Sequence, residues 1–349
     1  MRKILTSITA TILCAMLALS LLGCSVNNNK AAKVKVLIVP KFEVDNITGD
    51  FPGEAQLFYE KYCAGKAETE LPNLPETASF YFNQENGVAL LITGSGKTAA
   101  TLAMAAVLNN PDYDLSEAFI VSVGCSGGSY ETTVLGDVVL VTGACDNELG
   151  HTADIREFDD TGKDITWFQD PSFDATAYKV MDAQLNDEVY GLIKDVELQT
   201  TELSRSVTAE NFPDEEWRLR DPMVIKGTSV TGDSYWKGIY GHNNAVAVTG
   251  TYKMPDPYAA TEMEDLAMAN VAESYGFTNR FITLRVVVDL DVFLGNDSPE
   301  SLWSDGEAYN DTVDDTSGEM IDIFEPGMHN LFDASEIVID AILDGTLSV

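Results

Sequence analysis

Residues 261–291, TEMEDLAMANVAESYGFTNRFITLRVVVDLD, constrain the fold more than any other stretch, because they join an acid-headed helix to an apolar strand that ends on a carboxylate. Thr261 followed three residues later by Glu264 has the spacing of a capping box, and Met263, Leu266, Ala267, Val271 and Tyr275 recur at helical spacing. This predicts a helix of about four turns closed by Gly276. A strand at 281–288 follows at once, and its run Val286-Val287-Val288 suits burial on both faces. Asp289 then stands where the strand emerges at its carboxyl end, the edge at which open α/β sheets bind ligands.

The remaining segments alternate in the same way. Apolar strands are predicted at 35–40, 87–93, 118–123, 137–142, 222–226 and 245–249. Helices are predicted at 52–65, with Ala55, Leu57, Phe58 and Tyr62 inward, at 97–109, at 182–196, and at 334–343, with Ile337, Val338, Ile342 and Leu343 on one face. Together they predict an α/β protein of three layers, α/β/α, around a central mixed and twisted sheet. Residues 152–178 and 296–320 are polar and acidic and read as surface insertions or lids.

Composition narrows the partners. A net charge of −35, from 21 basic and 56 acidic residues, argues against a nucleic-acid phosphate backbone. Asp311, Asp314 and Asp315 lack the ligand spacing of a calcium loop, and no metal is expected. Arg2-Lys3, an apolar run at 4–22 and Leu21-Leu22-Gly23-Cys24 form a secretory leader with a small-residue cleavage site. The leader resembles that of a bacterial lipoprotein, which implies lipidation at Cys24, a polar tether at 25–33, a globular domain at 34–349, and a place on the outer side of the cell membrane. Cys63, Cys125 and Cys145 then remain, an odd number without CxxC spacing, which leaves room for one bridge but not for a disulfide framework or a zinc site.

Gly94-Ser95-Gly96-Lys97-Thr98 mimics a nucleotide-binding P-loop, but that motif needs a glycine five residues before Gly96, where Leu91 stands. Four stretches in chain order resemble the nucleoside phosphorylase superfamily instead: GSGKTAATLAMAAVL, Val123-Gly124-Cys125-Ser126-Gly127-Gly128 with Gly136-Asp137 after it, Gly232-Asp233-Ser234-Tyr235-Trp236-Lys237-Gly238, and Met263-Glu264 with Arg285-x-x-x-Asp289. The Gly-Asp-Ser-x-Trp-x-Gly form is most similar to the purine nucleoside permease branch, as are Glu148-Leu149-Gly150-His151 and Arg156-Glu157. The resemblance implies a nucleoside phosphorylase-like fold and a purine nucleoside as ligand. In it Met263 and Glu264 hold the ribose hydroxyls, Tyr235 stacks on the base, and Asp233, Gly124 and Cys125 belong to the ligand loops. The Gly124 turn presents backbone N–H groups as an anion nest.

The implied chemistry is cleavage of an N-glycosidic bond, with Asp289 protonating the departing base. A carboxyl buried at a strand end has its pKa raised, which suits a general acid. Glu264 has a competing structural role in the capping box, which would occupy the same carboxylate. Hydrolytic members position water with a glutamate after the first strand, so Glu43 or Asp45 is the candidate here, with Lys41 as an alternative anion contact. Some phosphorylases hold phosphate with an arginine two residues before the first glycine of the turn, and Ser122 occupies that place. No cofactor is expected, and phosphate as co-substrate is put in doubt. Two functions follow: a lipid-anchored purine nucleoside receptor for uptake, which needs a membrane transporter as partner, or an extracytoplasmic nucleosidase or phosphorylase. A homo-oligomer and an acidic protein with the fold but no ligand stay open.

Overall fold

β-branched runs with residues buried on both faces set the sheet. The computed structural model describes residues 30–157, 165–294 and 323–348; Cys24, the leader, most of the tether and the insertion expected at 296–320 lie outside them. The body spanning Lys33–Val349 is built on a nine-stranded mixed sheet. Its strands are β1 (Val36–Val39), β2 (Ser79–Asn83), β3 (Val88–Ile92), β4 (Phe119–Gly128), β5 (Val138–Asp146), β6 (Tyr178–Val180), β7 (Val224–Thr231), β8 (Tyr258–Glu262) and β9 (Phe281–Leu290). They lie in the order β6-β5-β7-β8-β4-β1-β3-β2, with β9 bridging β4 and β5. Because β9 runs parallel to β4 and antiparallel to β5, the pairing β4-β9-β5-β7-β8-β4 closes on itself.

Helices cover both faces, which gives the expected three layers. Leu37, Val39 and Ile120 pack with Ala103 and Met104 of α1 (Lys97–Leu108), on the side that also takes Leu266 and Met268. The alternate residues Val36, Ile38 and Val121 pack on the other side with Leu185 and Val189 of α2 (Ala183–Ile193). α3 (Glu202–Asn211) and α4 (Ile239–Thr251) follow in the chain, then α5 (Asp265–Ser274), which carries Leu266 and Met268, and α6 (Glu325–Asp344), whose Leu331, Val338 and Ile342 join the α2 side.

Four differences from the sequence expectations have physical causes. Residues 245–249 are helical rather than extended: Ala245 and Val248, three apart, face inward together while Val246 is 43% exposed, a helical period. The capping box does not form, because Thr261 belongs to β8 and pairs with Gly127 and Val230, and the helix starts only at Asp265. Gly276, at φ 81°, closes that helix as expected. The glycine-rich segment 124–128 is not a turn but the continuation of β4, paired with β9 and, at its end, β8. Missing Cβ atoms permit this double pairing: a Cβ at Gly127 would lie 2.9 Å from Thr261 Cγ2 on β8, and one at Gly128 2.5 Å from Val287 Cγ1 on β9. The helix expected at 52–65 narrows to 56–63 and widens into a π turn over Tyr59–Cys63.

Asn330, fully buried in α6, holds that helix to the loops beneath it. Its amide nitrogen donates to Gly136 O at 3.0 Å and Gln199 O at 2.9 Å, and its oxygen accepts the Gln199 N–H at 2.6 Å. Asn330→Ala strands buried backbone groups and is expected to lower the unfolding free energy by about 2–4 kcal/mol in urea titration. A loss under 1 kcal/mol would show that water replaces the amide there.

Candidate active site at the ends of β4 and β9

Arg285 points from β9 into the interior and is 2% exposed. Its Nη2 lies 2.6 Å from Asp265, 3.0 Å from Glu262 and 3.1 Å from Glu264, its Nε donates to Asp265 at 3.0 Å, and Nη1 donates to Cys125 O at 3.0 Å. The three carboxylates come from the end of β8 and the head of α5. Glu262 caps that helix, accepting the N–H groups of Glu264 and Asp265. With the cap supplied there, Glu264 turns inward: Oε1 accepts the Gly96 N–H at 2.8 Å while Oε2 meets Arg285. A carboxylate has about four acceptor sites, so Glu264 retains places for two hydroxyls.

Gly124 brings a further carboxylate to this cluster. A Cβ on Gly124 would sit 2.6 Å from Arg285 Nη1 and 2.8 Å from Glu54 Oε1, so only glycine lets the strand approach both. Glu54 is buried, with Oε1 accepting the Cys125 N–H and Oε2 the Lys41 N–H, each at 2.8 Å. Burial raises its pKa against the pull of Lys41 and Arg285. Lys41 is itself buried, and its ammonium donates to Ser122 Oγ and Val123 O at 2.8 Å. Burial and then the nearby Arg285 charge lower its pKa. Burial and then the Asp265 charge push Glu262 up to about 7 despite Arg285.

Farther along the same strands, Asp289 lies in register with Gly127, so it and the glycine segment share one end of the sheet. Its carboxylate accepts from Tyr235 Oη at 2.8 Å, Lys237 Nζ at 2.9 Å and the Leu290 N–H at 2.8 Å. Its side chain keeps 34% exposure, so the deep burial expected there is absent. Tyr235 is 67% exposed, a ring standing over the strand end rather than packed in the core. The loop bearing it is fixed from behind. Glu148 accepts the Asp233 and Ser234 N–H groups and pairs with Lys97 at 2.8 Å, while Asp233 accepts the Lys97 N–H. Burial works to raise the Glu148 pKa, but Lys97 and the loop N–H groups outweigh it and hold it at about 2.

Of the residues singled out in the sequence, Glu264, Gly124 and Cys125 converge on Arg285, while Asp289, Tyr235 and Asp233 stand on or beside the neighbouring loop. Met263 lies half-buried between Glu262 and Glu264. Glu43 does not reach the cluster, because its carboxylate is taken up by the N–H groups of Val44, Gly53, Ala55 and Gln56. Asp45 is exposed, at φ 51° in the same loop. Glu54, ahead of the helix after the first strand, is the acid of this segment that lies against Gly124 and Cys125. In the sequence an acid at the head of a helix reads as capping. Lys41 Nζ donates to Ser122 and Val123, and Lys97 Nζ pairs with Asp146 and Glu148. His151 pairs with Asp170 at 2.9 Å and is exposed, and Cys63, Cys125 and Cys145 are free thiols. Among the described residues no acidic, cysteine or histidine group has metal-site geometry.

A sheet of this connectivity with its polar cluster at the ends of β4 and β9 is the nucleoside phosphorylase-like α/β fold. A 5'-methylthioadenosine/S-adenosylhomocysteine nucleosidase of Neisseria meningitidis, solved with methylthio-immucillin-A, superposes at TM-score 0.53 and 17% identity over 89% of this chain and 99% of its own. The futalosine hydrolase of Helicobacter pylori does so at 0.53 and 13%, over 88% and 97%. The chain belongs to the purine nucleoside permease family, whose model matches residues 33–346. A probable purine nucleoside permease of Schizosaccharomyces pombe is 24% identical over 61% of this chain and 67% of its own.

The Glu262 proton gives a stability signature. Its folded pKa of about 7 exceeds the ordinary 4.5, so this group's contribution is fully present below pH 4.5 and is lost as pH rises through 7. The unfolding free energy of the wild type from urea titration is expected to fall more steeply across that window than that of Glu262→Gln, by up to about 1.4 kcal/mol per pH unit. Parallel curves would place the proton elsewhere.

Proposed function

We propose that the chain binds a purine nucleoside across the ends of β4 and β9 and cleaves its N-glycosidic bond with water. Glu264 takes the ribose hydroxyls, Tyr235 stacks on the base, Asp289 and Lys237 hold its edge, and Glu54 faces the sugar from the Gly124 side. The observation that carries this reading is Glu54: a buried carboxylate with a raised pKa, aimed by two backbone N–H groups and set against Arg285 and Gly124. As the C1'–N9 bond breaks, its electron pair goes to the base, which takes a proton from the Asp289–Lys237 pair. Water bonds to C1' and gives its proton to Glu54. The cluster sets Glu54, Glu262, Glu264 and Asp265 against Arg285 and Lys41, an excess of negative charge that favours a cationic sugar and opposes a phosphate anion. That supports hydrolysis over phosphorolysis.

A second reading, a receptor for nucleoside uptake, is favoured by the Asp289–Lys237 ion pair, because it presents both an acceptor and a donor to a base edge, which is all that binding requires. Lipidation at Cys24 would tether either form on the outer face of the membrane, and uptake would require a transporter beside it.

Incubating purified residues 25–349 with inosine and adenosine, with and without phosphate, decides between them. Hydrolysis predicts free base at a rate indifferent to phosphate, reduced by about 10²–10⁴ in Glu54→Gln and in Asp289→Asn with nucleoside affinity nearly unchanged. Tight binding without base release by the wild type would leave the receptor reading. Either way Tyr235→Ala is expected to weaken nucleoside binding roughly ten- to a hundredfold, and unchanged affinity would remove the ring from the site.

A further inference from the structure

Two residues beyond Asp289, Asp291 is buried and gathers four elements. Its Oδ1 accepts the Tyr130 N–H at 3.0 Å, and Oδ2 accepts from Tyr258 Oη at 2.9 Å and lies 2.7 Å from His242 Nδ1. Its backbone holds the ligand loop as well: the Gly238 N–H donates to Asp291 O at 2.8 Å, and the His242 N–H donates to Gly238 O at 3.0 Å. The loop carrying Tyr235 and Lys237 therefore meets the end of β9 at two rungs, one at Asp289 and one at Asp291. The second has no part in the chemistry described above, yet it closes the loop onto the first turn of α4.

We propose that His242 is a positioning residue: its ring, paired with Asp291, latches the loop of Tyr235 and Lys237 onto the end of β9 and so sets the geometry of the base pocket at Asp289. The base pocket rests on the purine reading, whereas the latch itself does not. The ring is 1% exposed and stands 4.5 Å from the Tyr130 ring. Among the described residues the titratable and charged groups on the elements packed around it are Asp291 at the end of β9, Tyr258 on β8, Tyr130 and Glu131 after β4, with Glu131 Oε2 3.5 Å from Nε2, and Arg218 stacked on Tyr130. Burial disfavours charge on this ring, but Asp291 and then Glu131 outweigh it and hold its pKa above the ordinary value. The protonated ring gives Asp291 a charge-assisted hydrogen bond, and deprotonation leaves a neutral donor in its place. The latch is strong while the ring is charged and weakens as pH rises past its titration.

The full chain, His242→Asn and His242→Leu are compared between pH 6 and 9 by two readouts: amide-exchange protection at Gly238 and His242 without nucleoside, and inosine affinity by calorimetry. Asparagine keeps a neutral donor near the Nδ1 position. In the wild type, protection and inosine affinity are expected to fall together by about three- to tenfold over this range, the difference between a charged and a neutral hydrogen bond. His242→Asn should sit at the wild type's high-pH level throughout with no pH dependence. His242→Leu should lose at least as much at every pH. Wild-type protection at Gly238 in His242→Leu, or an undiminished pH dependence in His242→Asn, overturns the proposal; the asparagine variant decides alone if the leucine variant does not fold. Should inosine fail to bind while the exchange pattern appears as expected, the purine reading falls and the latch stands.

Discussion

A buried guanidinium is the constraint on which the rest of this structure depends. Arg285 cannot stand in a dry interior without partners, and breaking a buried pair of this kind costs about 3–5 kcal/mol. Supplying those partners fixes the local architecture: β8 must end with Glu262 beside the strand, α5 must start at Asp265, and β4 must pass close enough for the Cys125 carbonyl to accept from Nη1. Two cations against four carboxylates cannot balance with every acid ionised. Burial within this acid-rich cluster raises the pKa of Glu262 and of Glu54.

The site divides along β9. In the proposed reading Arg285 and Glu264 mark the sugar end and Asp289 the base end, four residues further, about 13 Å of strand. The sugar end is buried and crowded, with every cation spent on a carboxylate or carbonyl. The base end is half-open, and its groups ride on a loop held by Glu148, Asp233 and Lys97 behind it. Rigid chemistry at one end and an adjustable platform at the other suit a ligand whose sugar is constant and whose base enters from outside.

Much of this was legible in the sequence. The strands at 36–39, 88–92 and 281–290 announce themselves by β-branched runs, and Asp289 and Glu264 stand out because carboxylates interrupt apolar or helical patterns. What was hidden depends on distant residues. Residues 245–249 read as a strand because a short Val–Ala alternation fits either period, and only the partners of α4 settle it. Thr261 and Glu264 have capping spacing, yet the demand of Arg285 for partners moves the helix start and hands the cap to Glu262. Glu54 was masked for the same reason: at the head of a helix an acid has an ordinary local use, and nothing local shows that Gly124 and Arg285 lie against it. A cleft lined by Thr249, Met254, Pro257 and Tyr258, about 420 Å³, contains none of the candidate site residues.

The closed pairing of β4, β9, β5, β7 and β8 also decides how such a chain can associate. Strands inside a closed circuit offer no unpaired N–H and C=O row to another chain, whereas the open edges among the described strands are the three-residue β6, Tyr178–Val180, and the longer β2, Ser79–Asn83, separated from β4 by β3 and β1. Edge-to-edge assembly, whether between copies or with an extended segment of another protein, is directed to those outer strands. Self-association of this kind would leave the ligand-bearing strand ends undisturbed, so loss of the monomer and loss of binding are separable events in this fold.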